Sequence, residues 1–202
     1  MWLSQSRAEE WLKYMGWEPS NSLVDWEKRN RYLLTKNGKP NILDDGGAHG
    51  RKAIYLASLG FYDIYLADVN VYSLRIGKEK LVDKIEDGKK RIEFIRENSI
   101  YHPFQNSVFD AVISFGLTHW LNNLEEIEQY LLDCRRILKP QGLLFGMTFK
   151  EWENMPKGLP RYPIFMDKET LKNLIQNSEF DIIKIYEKRK EDKIGWFFET
   201  KK

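Results

Sequence analysis

The feature that most constrains this chain is a short apolar run leading into a glycine-rich turn, in the stretch from Asn41 to Arg51. A segment with helical character follows and ends at Gly60, a residue suited to a helix C-terminus. The small residues Gly46, Ala48 and Gly50 leave room for a ligand to lie against the backbone. The stretch therefore predicts a strand, a tight turn and a helix, with a ligand at the turn.

The spacing of the small residues argues against a dinucleotide ligand. The dinucleotide fingerprint G-x-G-x-x-G, started at Gly46, requires a small residue where this chain has Arg51. Asp44 lies two residues before the first glycine, and its carboxylate would repel a pyrophosphate. A ligand that presents a cation or hydroxyl groups fits this turn better than a phosphate does.

Later segments continue the alternation of strands and helices that is typical of a parallel, doubly wound sheet. They are a second strand at 63–68 that ends in Asp68, a third at 92–95 followed by Asn98 and Ser99, a fourth at 109–115 that includes Ser114 and Phe115, and a turn from Arg136 to Gly142. A strand-end acid roughly 20 residues after a glycine loop is placed to bind ribose hydroxyls.

Together, in order and register, these segments resemble the class I S-adenosylmethionine (SAM)-dependent methyltransferases from about Ile42 to Phe149. The first motif of that family reads hydrophobic-hydrophobic-Asp-x-Gly-x-Gly-x-Gly. This chain departs from the family at Asp45, Ala48, Asn98 and Gln141. The resemblance implies a doubly wound, mostly parallel α/β sheet of seven strands with an antiparallel last strand, plus N-terminal helices.

The resemblance also implies SAM as the cofactor and a set of residues that bind it. They are Asp44, Gly46, Gly47, Ala48 and Gly50 at the turn, Asp68 and Val69 after the second strand, Asn98 and Ser99 beside the adenine, and Ser114 and Phe115 at the fourth strand. Asp44 is expected either to fix the glycine turn or to bond the methionine ammonium. The acceptor implied is a small molecule, and the sequence does not name it.

The domain organisation expected is one compact protein with two parts. Residues 1–39 are predicted to be a helical cap over the cofactor, and residues 40–202 the SAM-binding methyltransferase domain. Residues 150–163 hold three prolines and are either a lid or substrate loop or a plain surface crossover. The chain after residue 180 reads as two strands of a terminal hairpin.

The chain has three histidines, and His119 is the candidate general base among them. It follows the fourth strand, at the edge where open α/β sheets bind ligands, and a neutral imidazole can take a proton from a hydroxyl. The alternative is that it only packs or caps the next helix. His49 is expected to be an exposed residue of the glycine turn. Cys134 lies on an apolar helix stripe, which favours a core position over a nucleophile.

Composition and charge disfavour several other classes of function. The net charge of +2 gives no field that would attract nucleic acid strongly, so action on RNA is disfavoured. No convincing cluster of metal ligands or membrane-length apolar run is apparent, and the single cysteine suits a reducing compartment, here taken as the cytoplasm. An RNA or protein methyltransferase and a nonenzymatic binding module with this fold both stay open as alternatives.

Overall fold

The computed structural model describes residues 4–84, 92–155, 163–190 and 193–202. The helices are α1 Gln5–Met15, α2 Asn21–Thr35, α3 Arg51–Ser58, α4 Val71–Lys84, α5 Leu124–Ile137 and α6 Lys168–Asn177, with a short 3-10 helix at Thr118–Trp120. The strands are β1 Asn41–Asp45, β2 Asp63–Asp68, β3 Ile92–Arg96, β4 Phe109–Phe115, β5 Leu138–Trp152, β6 Asp181–Lys190 and β7 Lys193–Lys201.

The seven strands form one mixed sheet in the order β3-β2-β1-β4-β5-β7-β6. Strand β2 pairs in parallel with β1 and β3, and β4 pairs in parallel with β5. Strand β7 runs antiparallel to both β5 and β6. The expected fold class, a mostly parallel seven-stranded sheet with an antiparallel last strand, is therefore confirmed.

The chain divides into two compact units, Met1–Asn98 and Ser99–Lys202, which are described separately below. In the first unit, β1 and β2 bury apolar side chains on both faces, as strands covered by helices do. The largest fully buried side chains of this core include Trp26, Tyr62, Leu23, Ile42, Leu43, Leu56, Ile64 and Leu66. The helical character expected within residues 1–39 is present as α1 and α2.

The second unit is built on β4, β5 and the β6–β7 hairpin. Ala111, Val112 and Ile113 of β4 are completely buried, which is the near-continuous apolar run of a strand covered on both faces. Helix α5 begins at Asn123, whose side-chain oxygen accepts a hydrogen bond from the backbone N–H of Glu126. Cys134 on α5 is a buried free thiol, which confirms its core position.

The segment at 150–163 differs from the expectation of an irregular stretch. Strand β5 continues through Trp152, because Glu151 and Trp152 pair with Ile194 and Lys193 at the start of β7, beyond a register shift between Phe149 and Glu151. Residues 156–162, which hold part of the expected lid, lie outside the described residues. In the part of the chain that is described, none of the helices combines the length and apolar character that crossing a membrane requires.

Candidate functional site

The glycine turn after β1 has an unusual backbone in which every second residue is left-handed. Gly46, Ala48 and Gly50 have φ angles of 61°, 52° and 80°. Glycine adopts such angles freely, whereas an L-residue is strained there by about 1 kcal/mol. Ala48 stands where the resembling family has glycine, so this departure retains the backbone shape and adds a methyl group at a conformational cost.

Gly47 is required for space and not for its backbone angle. A Cβ atom at this position would lie 2.2 Å from Leu66 Cδ1 and 2.7 Å from Asp44 Cγ. The turn therefore packs directly over the Asp44 carboxyl group. Any side chain at Gly47 would displace both the Leu66 side chain and this carboxylate.

The Asp44 carboxylate is completely buried and has two partners of its own. Asp44 Oδ1 lies 3.0 Å from Lys52 Nζ, and Asp44 Oδ2 accepts a hydrogen bond of 3.1 Å from the backbone N–H of Ala53. Burial raises the pKa of Asp44, and the Lys52 ammonium opposes that rise. The carboxylate thus holds the first turn of α3, a contact that the sequence did not predict.

Lys52 is the partner of Asp44 that the sequence did not predict. Its side chain is buried, with a relative exposure of 6%. A lysine in the first turn of a helix ordinarily points to solvent, and no local spacing signals that it turns inward. Only the packing of α3 on β1 brings the ammonium group to Asp44.

The Asp68 carboxylate, at the end of β2, joins the glycine turn to the start of α4. Asp68 Oδ2 accepts a hydrogen bond of 2.8 Å from Ala48 N, and Oδ1 accepts one of 2.7 Å from Asn70 N. Burial raises the pKa of Asp68, against the lowering effect of these two backbone donors. Asn70 Oδ1 in turn accepts from the backbone N–H groups of Tyr72 and Ser73, so it caps α4.

The remaining expected contacts of the first unit lie beside Asp68 or after β3. Val69 is 49% exposed, which is unusual for a valine directly after a buried strand. Asn98 is exposed as well. Both residues are therefore accessible at the surface.

His49 differs from the sequence expectation, because it is buried and not exposed. Its ring is 2% exposed, and Nε2 lies 3.0 Å from the backbone oxygen of Gly16. The ring also meets the edge of Trp17, with 4.8 Å between centroids. Burial lowers the pKa of His49 to about 4. The expectation was wrong because the connection between α1 and α2, at Gly16 and Trp17, covers the ring.

In the second unit, Arg136 holds the loop that precedes β4. Its guanidinium donates to the backbone oxygens of Phe104 and His102 at 2.6 and 2.9 Å, and to Asp133. Asp133 Oδ2 also lies 2.7 Å from His102 Nδ1. The arginine of the expected turn motif therefore fixes the loop that begins at Ser99, which is itself buried.

Ser114 and Phe115 end β4 and have different surroundings. Ser114 is 1% exposed, and its hydroxyl has no hydrogen-bond partner among the described residues. Phe115 packs edge-on against Phe145 and Phe197, with centroids 4.8 and 5.5 Å apart. Ser114 thus has unused hydrogen-bonding capacity, while Phe115 belongs to an aromatic cluster.

His119 lies on the short 3-10 helix after β4 and is completely enclosed by protein. Its ring is 4.1 Å from that of Phe149 and 5.1 Å from that of Trp120, centroid to centroid. Burial lowers the pKa of His119 to about 3. In the described part of the chain, Nδ1 of His119 and the hydroxyls of Thr118 and Thr148 have no hydrogen-bond partner. Buried polar groups of this kind are usually satisfied by water or a ligand.

The sequence of the chain is similar to that of known methyltransferases. A profile described as a methyltransferase domain matches residues 43–146. The ubiquinone/menaquinone biosynthesis C-methyltransferase UbiE of Francisella tularensis subsp. novicida is 33% identical over 132 residues, which are 62% of this chain and 49% of that protein. The chain thus spans about half the length of this relative.

Solved structures share the fold. A SAM-dependent methyltransferase from Methanosarcina mazei superposes with a TM-score of 0.75 at 18% identity, covering 92% of this chain and 98% of that one. Phosphoethanolamine N-methyltransferase 2 of Haemonchus contortus, in complex with SAM, superposes with a TM-score of 0.76 at 15% identity. That match covers 100% of this chain and 58% of the other.

Proposed function

Because the chain belongs to the methyltransferase domain family, among the class I SAM-dependent methyltransferases, we propose that it transfers a methyl group from SAM to a small-molecule acceptor. The observation that carries this proposal is the joint between Asp68 and the glycine turn through Ala48 N. It sets a strand-end carboxylate beside a turn of small residues, a pairing suited to a ribose and a methionine moiety.

Each cofactor contact is proposed on its local geometry. Asp68 accepts hydrogen bonds from the ribose hydroxyls, since each of its oxygens retains a lone pair beyond its backbone donor. Val69 packs on the adenine, with Asn98 and Ser99 beside the base. The methionine moiety reaches the backbone at the small residues of the turn, Gly46, Gly47, Ala48 and Gly50. Asp44 stabilises the turn, because Gly47 packs on its carboxyl group. Ser114 and Phe115 stay predictions of the family resemblance, and each has its own surroundings in the second unit.

Replacing Asp68 with alanine tests the cofactor site. We expect the affinity for S-adenosylhomocysteine to fall by about 1.5–3 kcal/mol, because hydrogen bonds to a charged acceptor are lost. Isothermal titration calorimetry measures the affinity, and urea unfolding reports whether the variant is folded. Glu93→Ala on β3 is the matched control, because it removes an exposed carboxylate of the neighbouring strand. Equal affinities of wild type and Asp68→Ala would contradict the ribose contact.

If neither the wild type nor the control binds S-adenosylhomocysteine, the alternative of a nonenzymatic module with this fold replaces the enzyme. Methyl transfer from labelled SAM to phenols, amines and thiols then identifies the acceptor class of an active protein. The acceptor is proposed to be a small molecule, as in the name of the UbiE relative, which refers to quinone biosynthesis. The single buried cysteine supports a reducing compartment, and we propose the cytoplasm.

His119 is proposed to contact the acceptor as a hydrogen-bond acceptor. A neutral buried imidazole whose pKa is lowered to about 3 holds a proton too weakly to serve well as a base near neutral pH. It can still align an acceptor hydroxyl or amine through a ring nitrogen. The buried hydroxyls of Ser114, Thr118 and Thr148 offer further hydrogen bonds to the same kind of uncharged polar group.

His119→Phe separates this role from general-base catalysis. The phenyl ring retains the packing against Phe149 and Trp120 and removes the nitrogens. We expect kcat/KM for an identified acceptor to fall about tenfold, the value of one neutral hydrogen bond, with cofactor affinity unchanged. A loss of roughly 10²–10⁴-fold in kcat would instead indicate a general base. Unchanged kinetics would leave His119 as part of the scaffold.

A further inference from the structure

We propose that His49 is a positioning residue that couples the glycine turn to the N-terminal helices, so that cofactor binding and the docking of α1 stabilise each other. The inference builds on the proposed function, because it takes the glycine turn as the cofactor site. It adds a residue for which neither the family motif nor the fold assigns a role. The residues that join the turn to the N-terminal helices are His49, Arg51 and residues 16–18, and together they are here called the latch.

The latch contains two hydrogen bonds, and their residues lie two positions apart both in the glycine turn and in the connection between α1 and α2. His49 Nε2 lies 3.0 Å from Gly16 O, and Arg51 Nη1 donates to Glu18 O at 3.3 Å. Residues 49 and 51 of the turn thus meet residues 16 and 18 of the connection between α1 and α2. The ring of Trp17, between residues 16 and 18, meets the His49 ring edge-on.

The hydrogen bond to Gly16 fixes the protonation of the His49 ring. A backbone carbonyl can only accept, so Nε2 carries the hydrogen and donates it, and Nδ1 is unprotonated. The ring is 2% exposed, which disfavours a second proton. His49 is therefore a neutral donor at a fixed place, and a donor at this position is what the contact requires.

Gly16 marks the end of α1. Its φ angle is 64°, and its N–H donates to Leu12 O at 2.9 Å, the arrangement of a left-handed helix cap. By bonding the carbonyl of this cap residue, His49 holds the end of α1. A second contact holds the helix near its start, where Arg75 Nη2 of α4 donates to Gln5 Oε1 at 3.1 Å.

The backbone of His49 is restrained from the opposite side. A Cβ atom at Gly77 of α4 would lie only 2.5 Å from His49 O, so α4 packs closely on this carbonyl. The preceding residue, Ala48, donates its N–H to the Asp68 carboxylate. The turn cannot shift without changing the Asp68 contact, the α4 contact or the latch.

Coupling follows from this arrangement. A ligand held by Asp68 and the turn reduces the freedom of residues 48–50, and the His49 ring then remains aligned with Gly16. By thermodynamic reciprocity, a docked α1 raises ligand affinity by the same factor by which the ligand raises docking. Without a donor at position 49, the coupling weakens to what the Arg51 hydrogen bond retains.

Hydrogen exchange on three proteins tests the latch. The wild type, His49→Gln and His49→Leu are compared in residues 5–18, with and without S-adenosylhomocysteine. The glutamine amide retains a donor at position 49, and leucine removes it. Without ligand, we expect faster exchange in α1 of the leucine variant than in the wild type, with the glutamine variant close to the wild type.

With S-adenosylhomocysteine, the wild type and the glutamine variant should gain roughly tenfold or greater protection in α1, as expected of typical coupling. The leucine variant should gain little, and its dissociation constant should rise by the same factor. Arg51→Met against Arg51→Lys repeats the comparison at the second hydrogen bond, should the leucine variant fail to fold.

Two outcomes overturn the inference by different routes. Equal exchange in the unliganded wild-type and leucine proteins, or a glutamine variant that behaves as leucine does, overturns the latch itself. Failure of the wild type to bind S-adenosylhomocysteine overturns the proposed function, and with it the coupling to a ligand. The unliganded comparison distinguishes the two.

Discussion

Replacing Asp44 with alanine should lower the free energy of unfolding by about 3–5 kcal/mol, the usual cost of removing one partner of a buried ion pair. The variant leaves the Lys52 ammonium, 6% exposed, without the carboxylate 3.0 Å away. It also removes the acceptor for the N–H of Ala53 in the first turn of α3. Urea unfolding monitored by tryptophan fluorescence measures the change.

The double variant Asp44→Ala with Lys52→Met shows whether the buried charge is the cause. Methionine fills a similar volume without a charge, so the double variant should be more stable than Asp44→Ala alone. Lys39→Met is a matched control, because Lys39 pairs with Asp63 in a partly exposed ion pair that should contribute little. A loss below about 1 kcal/mol for Asp44→Ala would show that Lys52 reaches other partners or water.

The Asp44 pair also limits what this carboxylate can do for a ligand. Its oxygens already face Lys52 and the start of α3, and Gly47 packs over the carboxyl carbon. Fixing the glycine turn and bonding the methionine ammonium both stay predictions, and the close packing of Gly47 on the carboxyl group favours the first. A direct bond to the methionine ammonium would compete with Lys52.

The fold could be predicted from the sequence because its motifs are local and occur along the chain in the expected order. The stretch from Ile42 to Gly50 specifies a strand and a turn, and the later strand ends recur in the register of a doubly wound sheet. Each is set by a short apolar run and by residues that tolerate the turn. The fold class and the family resemblance are accordingly confirmed.

The side-chain contacts inside the site could not be predicted from the sequence, because they depend on packing between elements that are distant along the chain. Lys52 meets Asp44 only when α3 lies on β1, and His49 meets Gly16 across 33 residues of chain. Neither contact leaves a spacing that sequence reading can detect. The two glycine replacements are a partial exception: Ala48 and Gln141 have φ angles of 52° and 68°, as a glycine-preferring position implies.

Acid should destabilise this protein strongly between about pH 6.5 and pH 4, because two buried imidazoles resist protonation. Burial lowers the pKa of His49 to about 4 and that of His119 to about 3. Between these values and the ordinary histidine pKa, the unfolded chain binds protons that the folded protein does not. Stability is therefore complete above the unfolded pKa and falls as the pH is lowered, by about 2–3 kcal/mol for each histidine at about pH 4.5.

Urea unfolding of the wild type, His119→Phe and His49→Gln, at neutral pH and at about pH 4.5, separates these contributions from those of the carboxyl groups. The carboxyl groups titrate in all three proteins, so their effect cancels in the comparison. Each variant should lose about 2–3 kcal/mol less than the wild type on acidification, even if it is less stable at neutral pH. Equal losses in all three proteins would mean that both rings take up protons in the folded state, and would contradict the neutral imidazoles proposed for the turn and for the acceptor side.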